Sequence, residues 1–200
     1  MAMPKDPEQT RRLLLERAFE QIHLHGFQST SVSMILKDSG VTKGALYHHF
    51  KNKDEIGYAV VDEVVRKEIE ELWVRPLETT DDPVTVIIQT LTQFKETMTP
   101  EEMQRGCPLN NLIQEMSPID PVFKEKLGKV LDLWRSTLTD AFRRGIQSGT
   151  VSQAVDPVAV AQFIITIIEG FSSLAKNCQD LSLLIQSMGE FFRYLGTLRS

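Results

Sequence analysis

The sequence predicts an all-α fold, and three observations carry that prediction. The blocks between its nine prolines repeat apolar residues at helical spacing. No run of strict apolar–polar alternation marks a strand. Three helix starts share one signature, Asp82-Pro83, Asp120-Pro121 and Asp156-Pro157. Asp caps exposed N–H groups there, and Pro suits the first turn because its missing N–H would be unpaired anyway. About nine helices are expected, as a three-helix N-terminal head and a larger helical body.

The first block, "TRRLLLERAFEQIHLHG", places Leu14, Ala18 and Ile22 on one face, joined by Leu15 and Phe19. Residues 29–50, "STSVSMILKDSGVTKGALYHHF", read as two short helices. Ser31 caps the first, whose apolar face is Val32, Ile35 and Leu36. Ser39-Gly40 breaks it, Gly40 suiting a left-handed turn, and Val41 then packs inward. Thr42 caps the second helix, with Ala45, Leu46 and Phe50 inward. Two short helices joined by a tight Gly turn match a helix-turn-helix, whose second helix is the one that enters a DNA major groove.

Further on, "EIGYAVVDEVVRKEIEELW" repeats Val61, Val64, Val65, Ile69 and Leu72. "PVFKEKLGKVLDLWRSTLTDAFRRGI" repeats Phe123, Leu127, Val130, Leu131, Trp134, Leu138, Ala141 and Phe142. The block from Val158 to Ala175 is apolar nearly all round and must be covered on every side. The last block, "LSLLIQSMGEFFRYLGTL", has a stripe of Leu184, Met188, Phe191, Phe192 and Leu195. These two C-terminal helices fit half of a four-helix subunit interface, and they also fit an internal core.

Composition narrows the function classes. An apolar content of 42% allows a sizeable core. The start, "MAMPKDPEQTRR", has no apolar signal region. The apolar block 158–168 is interrupted by Gln162 and Thr166 and falls short of the ~20 residues that span a bilayer. Cys107 and Cys178 do not make a disulfide framework. A cytoplasmic protein without a membrane partner is expected. The net charge of −5 is uneven: residues 1–55 carry +1 and all four histidines, and residues 56–200 carry −6. That asymmetry is compatible with a local basic surface.

The stretch "GVTKGALYHHFKNKDEI" closely resembles the recognition helix and following helix start of the tetracycline-repressor (TetR) family of transcriptional regulators. The family pattern of Gly, apolar, Ser/Thr, Lys-Gly, small, Leu, Tyr, x, His, Phe, x, x, Lys is present through Lys53. Upstream, "RAFEQIHLHGFQSTSVSMI" is similar to the family's first helix, Gly-Phe turn and second helix start. The match covers residues 10–56, and Leu36 departs from it, since the family often has a small residue there. The resemblance implies a helix-turn-helix DNA-binding domain at 1–54 and a ligand-binding and dimerisation domain at 55–200. It further implies a homodimer on a palindromic double-stranded DNA operator, a small-molecule effector and no cofactor.

Roles follow from helix geometry together with that resemblance. Thr42, Lys43 and Gly44 occupy the first turn, where side chains and bare backbone reach base edges. Tyr47 lies one turn on, flanked by His48 and His49, which the resemblance places near the DNA backbone. Lys53 opens the next helix, where the family's counterpart pairs with phosphate. Thr30, Ser31 and Ser33 begin the second helix, whose N-terminus favours an anionic oxygen. The adjacent histidines diverge on a helix and have no matching Cys or His, so no metal site is expected.

In "RGCPLNNLIQEMSP", Cys107 takes the place that Asp holds in the Asp-Pro starts. A thiol at a helix N-terminus, two residues from Arg105, is favoured as thiolate. The segment also resembles the Gly-Cys-Leu helix opening of one TetR subgroup, some members of which respond to electrophiles or oxidants. Lys176 becomes a charged neighbour if the fold brings it near. Cys107 also fits a plain buried position. Other pocket candidates are polar or aromatic residues in apolar stripes: Phe94, Asn110, Asn111, Gln114, Trp134, Phe163 and Glu169. Each also fits ordinary packing. Glu169, a carboxylate in so apolar a helix, needs a partner, a ligand or a raised pKa. An enzyme with Cys107 as nucleophile finds no histidine near it in sequence, so no enzymatic activity is expected. A helical dimer that has lost DNA binding is opposed by the intact Lys43, Gly44, Tyr47 and Lys53 set.

Overall fold

The computed structural model describes residues 6–97, 99–177 and 182–200, so Cys178 lies outside the described residues. In chain order the helices are α1 (Pro7–His25), α2 (Val32–Leu36), α3 (Lys43–His49), α4 (residues 53–78), α5 (Pro83–Thr97), α6 (Pro100–Arg105), α7 (Pro108–Met116), α8 (Pro121–Ser148), α9 (Pro157–Ala175) and α10 (Ser182–Thr197). Among the described residues the one β pairing is an isolated bridge between Val151 and Arg199. The expected all-α fold is the observed one. The chain forms two compact units: residues up to Glu68 with Pro108–Lys129, and Ile69–Cys107 with Val130–Ser200.

In the first unit, α1 starts at Asp6, whose carboxylate accepts the Glu8 N–H at 3.0 Å. With Pro7 behind it, this is a fourth Asp-Pro start beside the three read from the sequence. Leu14, Leu15, Ala18 and Ile22 of α1 are buried, as their spacing predicts. Ser31 accepts the Met34 N–H and Thr42 accepts the Ala45 N–H, so both short helices carry the expected caps. Between them Asp38 and Gly40 both have left-handed backbone, φ 57° and 70°. The Ser39 hydroxyl ties this turn, donating to the Leu36 carbonyl and accepting the Val41 N–H. Val41, Leu46 and Phe50 are thereby buried and anchor α3.

Helix α4 departs from simple α geometry. The α-helical turns Lys53–Ala59, Arg66–Ile69 and Arg75–Glu78 alternate with the wider π-helical turns Val60–Val65 and Glu70–Val74. Gly57, Val61, Val65, Ile69, Trp73 and Leu77 are all buried, at steps of four residues. In a plain α-helix, at about 3.6 residues per turn, such a stripe drifts steadily around the axis. Turns closed by i→i+5 bonds take up more residues each and compensate the drift. The 3.6-residue stripe read from the sequence includes Val64 and Leu72, which are only half-buried, and omits Trp73.

Aromatic packing closes the first unit. Phe27 meets Phe123 edge-on at 4.7 Å between ring centroids, and Tyr58 meets Phe123 at 4.9 Å. The rings press onto Gly57, where an added Cβ would stand 2.4 Å from Phe27 and 2.6 Å from Phe123. Asp120 caps α8 through the Val122 and Phe123 N–H groups and also accepts the Tyr58 hydroxyl. Burial, with that bond, pushes the Tyr58 pKa up to about 12, so the phenol remains a donor.

In the second unit, Trp73 stacks on Trp134 at 5.2 Å, above a core that includes Leu138, Ala141 and Phe142. Asp82 and Asp156 cap α5 and α9 as the Asp-Pro signature predicts. The apolar stretch of α9 runs beyond the interrupted block 158–168, so that Pro157–Ala175 is the one described helix long and apolar enough to cross a membrane. A helix of a soluble protein passes the same test of length and composition.

Candidate nucleic-acid interface

The outer face of α3 carries most of the residues expected to contact DNA. Thr42, Lys43, Gly44, Tyr47 and His48 are exposed, and His49 is half-buried. Lys43 and Tyr47, four residues apart, share a side of the helix, with the Lys43 ammonium 5.9 Å from the Tyr47 ring centroid. The rings of His48 and His49 meet edge-on. Among the described residues no group of three or more His, Cys, Asp or Glu is placed to hold a metal ion. At Gly44 a Cβ would meet only the Thr42 hydroxyl, at 4.0 Å, so nothing in the protein itself crowds that position. Ser33 is exposed, half-buried Ser31 lies 2.9 Å from it oxygen to oxygen, and an open groove of about 630 Å³ runs past Ser33, Lys37 and Lys43. Lys37, just before the Gly turn, is exposed and lines the same groove, although no pattern in the sequence marks it.

Two expected contact residues are engaged with the protein's own turn, Thr30 buried and Lys53 half-buried. The Thr30 side chain is 1% exposed, and its hydroxyl donates to the Gly26 carbonyl at 2.7 Å. The reason is local: the turn after α1 has to close before Ser31 can cap α2, and a threonine closes it. Lys53 donates to the carbonyls of Phe27, Gln28 and Thr30 at 2.9, 3.2 and 3.0 Å. Its ammonium also lies 4.5 Å from the Phe27 ring centroid. All three N–H groups are thus engaged in holding the turn, and a phosphate contact would have to displace one of them. Glu115, which no pattern in the sequence marks for a role, holds the same turn from α7 through the N–H groups of Phe27 and Gln28.

The effector candidates are distributed over both units. In the first, Gln114 donates to Asn110 at 3.2 Å and is exposed, and Asn111 lines a cavity of about 10 Å³ beside Phe19 and His23. That volume holds about one water molecule, not an organic effector. In the second, Trp134 is fully buried in the core, and its indole N–H finds no hydrogen-bond partner among the described residues. Phe94 and Phe163 are 39% and 42% exposed, and Phe163 meets the Tyr194 ring edge-on at 4.9 Å. Cys107 and Glu169 are brought together by a hydrogen bond. Burial raises the Glu169 pKa to about 7, and the bond to Cys107 opposes that rise. The Lys176 side chain lies over Gly106, where a Cβ would fall 2.9 Å from its Cδ.

Residues 14–60 match the model of bacterial regulatory proteins of the tetR family. Residues 83–187, more than half of the chain, match the tetracyclin repressor-like C-terminal domain. The transcriptional regulator AcuR of Cereibacter sphaeroides is 29% identical over 160 residues, covering 78% of this chain and 72% of the relative. The transcriptional repressor DhaR of a Mycobacterium species is 23% identical over 167 residues, covering 80% of this chain and 79% of the relative. The crystal structure of a regulatory protein TetR from Rhodobacter sphaeroides superposes with a TM-score of 0.78 at 28% identity, covering 94% of this chain and 98% of that one.

Proposed function

The chain belongs to the TetR family of bacterial regulatory proteins, and from that premise we propose that it is a repressor, bound to a palindromic operator as a homodimer and released by a small-molecule inducer. It is a DNA-binding transcriptional regulator and not an enzyme. In this reading residues 1–54 read DNA in the cytoplasm, and residues 55–200 bind the effector and dimerise. The contacts come from Ser31, Ser33, Thr42, Lys43, Gly44, Tyr47, His48 and His49, while Thr30 and Lys53 hold the turn beneath them. Exposed apolar residues on α9 and α10, Val158, Phe163, Leu174 and Ile185, supply the pairing face. Two heads must then meet half-sites about 34–36 Å apart, so a small change in their spacing releases the operator.

The carrying observation is the exposed Lys43–Tyr47 pair on a helix whose other face is locked by Val41, Leu46 and Phe50. Lys43→Ala should weaken binding to every duplex and reduce the salt slope by about one, with melting temperature unchanged. An unchanged slope removes Lys43 from the phosphate contacts.

A second reading rests on the Cys107–Glu169 bond: a thiol sensor acting on the same switch. The Cys107 sulfur would add to a ring carbon of an electrophilic quinone: the S–C bond forms as the quinone C=C π bond breaks and its electron pair moves to the quinone oxygen, while the thiol proton passes to the Glu169 carboxylate and solvent protonates that oxygen. With a pKa of about 7 that carboxylate is poised to accept it. In a DNA-shift assay with an alkylating quinone, wild type should release DNA and Cys107→Ser should hold it. Equal release from both sinks the thiol reading and leaves the first intact.

A further inference from the structure

The turn after α1 is held by a residue 88 positions further along the chain. Glu115, on α7, accepts the Phe27 N–H on one oxygen and the Gln28 N–H on the other, each at 2.8 Å. Gly26 makes room for it: its φ is +83°, and a Cβ there would stand 3.1 Å from both carboxylate oxygens. Successive N–H groups around such a residue form a concave site for an anion, here filled by the protein's own carboxylate. The carbonyls of the same turn are bound by the Lys53 ammonium. The turn is thus fixed from both polarities by charge-assisted bonds, the stronger class.

What this turn fixes is the start of the reading element. Thr30 closes it onto the Gly26 carbonyl, Ser31 follows immediately as the cap of α2, and the Ser39 turn joins α2 to α3. α7 therefore has its own connection to the reading helices, separate from the covalent path through α4.

We propose that Glu115 is a positioning residue for operator binding: from α7 it holds the turn Gly26–Gln28, and with it α2 and α3, in the attitude that fits the groove, without touching DNA. The inference depends on DNA binding alone and not on the effector or on Cys107.

The test compares wild type, Glu115→Ala and Glu115→Gln by fluorescence anisotropy well below each melting temperature. Two duplexes of equal length are used, one selected from a random pool for tight binding to wild type and one scrambled. Glu115→Ala should lose about tenfold or more on the selected duplex, in the range of ordinary coupling between sites. Affinity for the scrambled duplex, set by phosphate attraction, should stay within about twofold. Amide exchange at Phe27 and Gln28 should accelerate. A merely structural role would lower both affinities together and overturns the proposal, as does unchanged affinity for the selected duplex. Glu115→Gln keeps the shape and one acceptor, and is judged by the same two criteria if the alanine variant does not fold.

Discussion

Lys43 and Lys53 stand ten residues apart in one motif, and their ammonium groups have opposite surroundings. Lys43 is exposed beside the Tyr47 ring. Lys53 is half-buried, bound to three carbonyls and laid over Phe27. The outer face of α3 keeps polar groups open to an arriving polyanion. The inner side of the same head uses polar groups to fix the backbone that presents that face. A motif lysine is therefore not a phosphate contact by virtue of its place in the motif, because what decides is whether its N–H groups already have acceptors. The Cys107–Glu169 corner resembles the inner side in its burial, but its carboxyl carries an unfavourable desolvation that the thiol bond only partly offsets.

If this contrast holds, the largest effect on stability belongs to Lys53. Lys53→Met should lower unfolding free energy by about 2–4 kcal/mol in urea titration, since it leaves three carbonyls without their donor and removes the cation–ring contact. Stability equal to wild type would mean that the clamp is ornamental and that Lys53 is available to DNA after all. A smaller, pH-dependent effect belongs to Glu169. Its folded pKa, about 7, lies above the ordinary carboxylate value, so the folded protein binds the proton more tightly than the unfolded one. The associated stability is fully present below about pH 4.5 and is lost as pH rises through about 7, for a total of about 1–3 kcal/mol. Glu169→Gln should remove that slope between about pH 4.5 and about pH 7, read by thermal melts across the range. A slope that persists in the variant assigns it to another group. The smallest effect belongs to Gly44. Gly44→Ala should stabilise the head by about 0.3–0.8 kcal/mol through helix propensity, while operator affinity falls. A gain in stability with unchanged affinity would show that DNA does not approach that backbone closely.

How far the sequence can be read follows the distance between partners. The caps Ser31 and Thr42 and the Asp-Pro starts are legible because donor and acceptor lie within three residues of each other. The inward turn of Thr30 is nearly as local, four residues from its acceptor, yet the helix start offers a competing outward role that hides it. Lys53 and Glu115 are not legible in their observed roles: their partners lie 23 to 26 and 87 to 88 positions away. In α4 the signal is present but its period is not 3.6, since a four-residue repeat through Gly57, Val61, Val65, Ile69, Trp73 and Leu77 calls for wider turns. Phe94 and Phe163 suggest a pocket by residue type alone, and residue type does not specify direction.

Hydrophobic period and capping act over one or two turns of chain, so the helices, their caps, the Gly40 turn and the motif on α3 are legible from residue order. Which polar groups of that motif remain open was set by helix packing. It brought Glu115 to the turn at Gly26, turned Lys53 onto the same turn and set Glu169 beside Cys107. Those outcomes depend on which distant backbone groups lie within hydrogen-bond reach once the helices are packed, and no spacing within the motif encodes that.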